Sequence, residues 1–104
     1  MTPGSIVRCG ERFAAVLFVV RGSAVLAPIA SGHGVDHPRR GDVPIRAMLP
    51  VRHPVARCGE PFVVPAGADM PQIGMVPDLR RLQDAARRAA ETAGIEAKFA
   101  RMAA

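Results

Sequence analysis

Phe13-Ala14-Ala15-Val16-Leu17-Phe18-Val19-Val20-Arg21-Gly22-Ser23-Ala24-Val25-Leu26-Ala27-Pro28-Ile29 is the stretch on which the reading of the fold turns. Two apolar runs rich in β-branched residues flank the breaker Arg21-Gly22-Ser23. Each run is strand-length, and a glycine between them supplies the backbone freedom that a tight hairpin needs. The segment reads as a β-hairpin. Its first run, residues 13–20, is the longest apolar stretch of the chain and is too short to span a bilayer.

Similar short runs lie on either side, at residues 5–9, 43–48, 51–57 and 62–64. All ten prolines and nine of the ten glycines fall within residues 1–77, between these runs. Short strands cut at close spacing by Gly and Pro predict a small barrel or sandwich. Pro44, Pro54 and Pro65 have no N–H for a ladder and are expected at edges or strand ends. Residues 31–42 hold three glycines, a proline, two histidines and Arg39-Arg40, the composition of a long polar loop. The final third changes period. Asp78 after Pro77 is a good N-cap, and Leu79, Leu82, Ala86, Ala89 and Ala93 form one apolar stripe. Arg80, Arg81, Arg87 and Arg88 share the solvent side, with Asp84 in reach of local pairing. Gly94 is expected to end or bend this helix, and Ile95, Phe99 and Met102 suggest one further short turn. The expectation is a single domain over 1–104, mainly β with a C-terminal α segment: a barrel over about 3–77 and a helical segment over about 78–103. Arg8-Cys9-Gly10-Glu11-Arg12-Phe13 is echoed by Arg57-Cys58-Gly59-Glu60-Pro61-Phe62, and both copies read as strand–turn–strand centred on glycine.

The 104 residues are 49% hydrophobic, enough for one modest core, and carry a formal net charge of +5. Lys98 is the only lysine; the other cations are arginines, whose planar forks suit phosphate. The same preference for Arg, Ala, Pro, Gly and Val is also what a GC-rich genome writes. Trp and Tyr are absent and Phe occurs four times, which argues against a broad base-stacking surface. The start of the chain lacks the basic, apolar and small-residue pattern of a signal peptide, so a cytoplasmic location without membrane attachment is expected. Cys9 and Cys58 form no CxxC pair and have no histidine at zinc-finger spacing, so they read as small, semi-buried strand residues rather than metal ligands or a disulfide.

Four blocks carry a resemblance to a known family: Pro3-Gly4-Ser5-Ile6-Val7; Ala15-Val16-Leu17-Phe18-Val19 with Val25-Leu26-Ala27-Pro28-Ile29-Ala30-Ser31; Val55-Ala56-Arg57-Cys58-Gly59-Glu60-Pro61; and Ile73-Gly74-Met75-Val76-Pro77 ahead of a helix. In order and spacing they resemble the PemK/MazF bacterial growth-inhibitor toxins, in particular the plasmid-borne Kid-type branch, over most of residues 3–90. The resemblance implies a small SH3-like β-barrel closed by a C-terminal helix. It also implies a homodimer that cuts single-stranded RNA as a metal-independent endoribonuclease, without a cofactor, and is silenced by an antitoxin-like protein partner. Such cleavage needs a base for the 2′-hydroxyl, an acid for the leaving oxygen, and donors or a cation for the charged phosphorane.

Carried over residue by residue, the resemblance makes Arg57 the acid or phosphate clamp; its plainer reading is a surface strand arginine. Gly59 stands where the branch has its basic aspartate, and glycine cannot take a proton. Glu60 is next to it but alternates to the opposite face unless a bulge redirects it. Ala30 replaces a threonine hydroxyl; Ser31 beside it either donates to substrate or only starts the loop. Arg12 matches loosely the arginine that opens the second strand, because Cys9-Gly10-Glu11 is all that remains of a longer loop. Arg57, Ser31, Arg12 and Glu60 are thus the catalytic candidates. Arg39, Arg40 and His33 are the RNA-binding candidates, with His37 and Asp36 in the same loop; solvated loop residues are the alternative. No metal site is expected, since Gly32, Gly34 and Pro38 exclude a helix under the two histidines. Two replaced catalytic side chains leave open a second function: a non-catalytic barrel module that binds nucleic acid or a protein, as a regulator or inhibitor of a nucleic-acid-processing system.

Overall fold

The computed structural model describes residues 1–32 and 40–103, with side chains described through residue 94. The described residues form seven strands and one helix: β1 (Ser5–Cys9), β2 (Arg12–Val20), β3 (Ser23–Ser31), β4 (Asp42–Pro44), β5 (Pro54–Arg57), β6 (Phe62–Pro65), β7 (Gln72–Met75) and α1 (Leu79–Ala103). All pairings are antiparallel, in the order β4-β5-β3-β2-β1-β7, with β6 also on β3. The protein is mainly β with a C-terminal helix.

The β2–β3 hairpin is the frame. Val20 pairs with Ser23, and the two linking residues, Arg21 and Gly22, have φ of 48° and 78°. Positive φ at both positions matches the twist of the flanking strands. Register shifts between Val16 and Phe18, which leaves Leu17 as an extra residue in β2. The side chain of Gln83 on α1 meets this bulge, its Nε2 donating to the Leu17 carbonyl at 2.7 Å.

β2 and β3 are central and buried on both sides, which explains their nearly continuous apolar text. On one face Ile6, Ala15, Leu17, Ala27, Ile29, Ala56 and Cys58 form a core under α1, capped by Leu82 and by Leu79, Ala85 and Ala86. Burying the Leu82 side chain alone is worth about 2 kcal/mol. On the other face Val7, Ala14, Val16, Ala24 and Leu26 pack with Met1, Cys9, Phe62, Val64 and Met70.

Several expectations are corrected. The sheet ends at β4 and β7, and no ladder joins those two strands among the described residues, so it is not closed as a barrel. One face is covered instead by α1 and by Ile45, Ala47 and Leu49 beyond the short β4, which Pro44 terminates. The runs at 43–48 and 51–57 are therefore strands only over Asp42–Pro44 and Pro54–Arg57. β7 is a strand that the sequence text does not announce, being four residues with a glycine. Gly94 does not end α1, which continues to Ala103; good helix formers around it outweigh a cost of about 1 kcal/mol. Ala93 at the end of the apolar stripe is exposed. Pro44, Pro54 and Pro65 lie at strand ends, as expected.

The two echoed hexapeptides fold differently. Cys9 pairs with Arg12 in a hairpin turned at Gly10, φ 64°. The second copy joins β5 to β6, and both pair antiparallel with β3 along one edge, β5 against Ile29–Ser31 and β6 against Ser23–Leu26. Residues 58–61 are thus a jog in one interrupted strand. Pro28, which lacks an N–H, sits in the gap between the two pairings.

Candidate nucleic-acid interface

A groove of about 480 Å³ opens at the end of the sheet where β1 turns into β2 and β3 leaves the ladder. Phe13 and Ile29 pair across β2 and β3 and, with Val51, give it an apolar floor, buried at Ile29 and half-buried at Phe13 and Val51. Arg12, Arg52 and Ser31 line the exposed rim, with Glu11 beside them. The size is that of an ordinary small-ligand site.

Local chemistry holds both sides of the rim. The Arg8 Nε donates to the Gly10 carbonyl at 2.9 Å and braces the turn ahead of Arg12. Opposite, the Ser31 hydroxyl donates to the Arg52 carbonyl at 2.8 Å, and the Gly32 N–H donates to the His53 carbonyl at 2.8 Å. His53 takes φ of 48°, a left-handed conformation uncommon outside glycine, which turns the chain back toward β5. The Ile45 N–H donates to the Pro54 carbonyl at 3.0 Å and closes the base of this excursion.

Arg12 and Ser31 therefore share one groove, and Arg57 is elsewhere. Ala56 points into the core under α1, as does Ile29, its partner on β3. Strand alternation sends Arg57 to the opposite face, whereas Ser31 keeps the face of Ile29. Arg57 also has a partner of its own: its Nη1 lies 3.8 Å from Asp42 Oδ2, directly across the β4–β5 ladder. The Arg57 side chain is only 19% exposed and that of Asp42 8%, and among the described residues Nη1 has no hydrogen-bond partner. This is a largely buried ion pair.

Position 59 is closed by backbone. A side chain there would begin at a Cβ in collision with the Arg40 carbonyl oxygen and 3.6 Å from Ala89 Cβ. Reciprocally, a Cβ on Gly41 would lie 2.7 Å from Gly59 Cα, and Gly41 has φ of 87°. The two glycines let the chain segments cross, and the Cys58 N–H donates to the Gly41 carbonyl at 3.0 Å at the crossing. Glu60 is exposed in the jog, its N–H donating to the Arg57 carbonyl at 3.2 Å. Arg40 lies at the crossing and not at the groove. His33 and Arg39, with Asp36 and His37, lie outside the described residues.

Cys58 is fully buried beside this crossing and unpaired. Burial, and then the negative charge of Asp42, push its thiol up to about 11. It is a protonated core residue at neutral pH, not a nucleophile. Cys9 is half-buried, its thiol 3.4 Å from the Met70 sulfur and shifted up by burial. Among the described residues no three His, Cys, Asp or Glu side chains gather to hold a metal ion, and no helix is long and apolar enough to cross a membrane.

Arg52 is the rim residue that sequence reasoning missed, because 51–57 reads as one strand. Its signal is the pair of flanking prolines, Pro50 and Pro54, which interrupt a ladder at residue 53. No family model, no curated protein and no solved structure matches this chain.

Proposed function

We propose that this chain is a non-catalytic nucleic-acid-binding module on a PemK/MazF-type, SH3-like scaffold, and that it holds single-stranded RNA in the groove between Arg12 and Arg52. The observation that carries this reading is the pairing of two rim arginines with an apolar floor in one groove. A phosphate takes the guanidinium forks, and an unstacked base lies on Phe13 and Val51. Double-stranded nucleic acid offers no free base to such a floor.

Cleavage has less support. The chemistry needs a cation at the scissile phosphate and a base near the 2′-hydroxyl. Arg57 is engaged with Asp42, and position 59 has no room for a carboxylate. Ser31 already gives its proton to the Arg52 carbonyl. A second copy of the chain and an antitoxin-like protein partner belong to the same reading and rest on the sequence resemblance.

The test is binding of a labelled single-stranded RNA, with the strand recovered afterward. Binding without shortening is expected, weakened about tenfold by Arg12→Ala or Arg52→Ala, the worth of one charge-assisted phosphate hydrogen bond. RNA shortened by the wild-type protein and spared by Arg57→Ala would instead establish a ribonuclease.

A further inference from the structure

A second feature lies on the other side of residues 44–52. Three adjoining hollows run along one flank of α1, from Asp78 to Thr92, against β4 and the residues around it. The first and second share Asp78 and Arg81; the second and third share Ala85 and Arg88. They form one furrow, about 21 Å long at the helical rise. The wall opposite the helix is the sheet edge, with Val43, Pro44 and Arg46.

The furrow is cationic by construction. Among the described residues five arginines line it, 40, 46, 80, 81 and 88, against Asp42, Asp78 and Asp84. Two of the three aspartates are offset by arginines outside the lining: Asp42 by Arg57 at 3.8 Å and Asp84 by Arg87 at 3.3 Å. Arg46, Arg80, Arg81 and Arg88 are all exposed. Among the described residues no aromatic side chain lines the furrow, so these residues give a base nothing to stack on. What it offers is a row of guanidinium forks, and the chemistry that fits is a chain of phosphates. The intervening segment serves both features, with Arg46 on the furrow and Arg52 on the groove. They are six positions apart, about 20 Å of extended chain.

We propose that the furrow between α1 and β4 is a sequence-independent phosphate track that continues the path of the strand beyond the Arg12–Arg52 groove. This rests on the RNA-binding reading above. It adds that one groove holds only a few nucleotides, and that the furrow lengthens the footprint and carries most of the salt dependence.

The experiment is fluorescence anisotropy with labelled oligouridines of four and twelve nucleotides, over a range of salt. The proteins are the wild type, Arg80→Gln/Arg81→Gln/Arg88→Gln, Arg12→Ala/Arg52→Ala, and Arg21→Gln as a charge control on the distant hairpin. Glutamine keeps helix propensity, and circular dichroism checks the fold. The wild type is expected to bind the twelve-mer at least tenfold more tightly than the four-mer. The triple variant removes that advantage, leaves four-mer binding unchanged, and lowers the twelve-mer salt slope by about 2, at about 0.7 for each phosphate no longer neutralised. Arg21→Gln leaves the slope unchanged. A folded triple variant that keeps both the length advantage and the slope overturns the track. The groove is judged separately: if Arg12→Ala/Arg52→Ala binds the four-mer as the wild type does, the groove reading falls. Twelve-mer binding that still depends on the three helix arginines then sustains the furrow.

Discussion

Gly59→Asp would place a carboxylate where the sequence resemblance to PemK/MazF toxins expects one, and the structure predicts damage instead of activity. The new Cβ collides with the Arg40 carbonyl oxygen, a backbone atom that no rotamer change can move aside. Ala89 Cβ, 3.6 Å away on α1, blocks retreat on another side. The strand crossing must then open. Overpacking of this kind costs about 1–3 kcal/mol, and rupture of the 3.0 Å hydrogen bond from Cys58 to Gly41 adds about 1 kcal/mol. The sum, about 2–4 kcal/mol, is a large fraction of the roughly 5–15 kcal/mol available to a domain of this size. Urea denaturation followed by circular dichroism should show the midpoint falling with little change in slope, and Tm dropping by about 10–25 °C. Single-stranded RNA should remain uncut. A Gly59→Asp protein as stable as the wild type would refute the crossing, and one that gained RNA cleavage would refute the reading of the site.

Gln83→Leu should cost about 1–2 kcal/mol in denaturation, because it removes the donor to the Leu17 carbonyl in the β2 bulge; an unchanged midpoint would mean that this hydrogen bond does not anchor α1. Stability should also depend on alkaline pH. The Cys58 thiol titrates near its ordinary 9.0 when unfolded and at about 11 when folded, so the unfolded chain loses its proton first. Stability therefore falls as pH rises through 9 and levels off above 11, by about 2–3 kcal/mol in all. Cys58→Ala should flatten most of this slope, leaving the smaller contribution of Cys9, which has the same sign. Arg57→Met should lower stability by about 1–3 kcal/mol by leaving Asp42 without its cross-strand cation, and should not change RNA affinity. Weaker binding at unchanged stability would make Arg57 a ligand for RNA.

The hairpin at Arg21-Gly22 and the stripe from Leu79 to Ala89 are legible because both are written in nearest-neighbour terms: one turn and one period. The bulge at Leu17 is not, since an extra strand residue has no composition of its own. Nor are the two fates of the echoed hexapeptide. Gly10 turns a hairpin in open space, whereas Gly59 is required by a crossing with Gly41, remote in sequence, and only the tertiary structure distinguishes them. Arg12 and Ser31 are legible as candidates, but strand alternation puts Arg57 on the other face from Ser31. Arg52 is hidden because residues 51–53 carry strand-like text and the ladder starts only at Pro54. The open sheet edge at β4 depends on where Pro44 stops a ladder and on what α1 covers, and neither is local.

The most direct measurement is the mass of a defined single-stranded RNA after prolonged incubation with saturating protein, taken together with its affinity. Intact RNA, bound by the wild type and released by Arg12→Ala/Arg52→Ala, is the predicted result. Shortened products that vanish with Arg57→Ala, while binding survives the loss of Arg12 and Arg52, would contradict it.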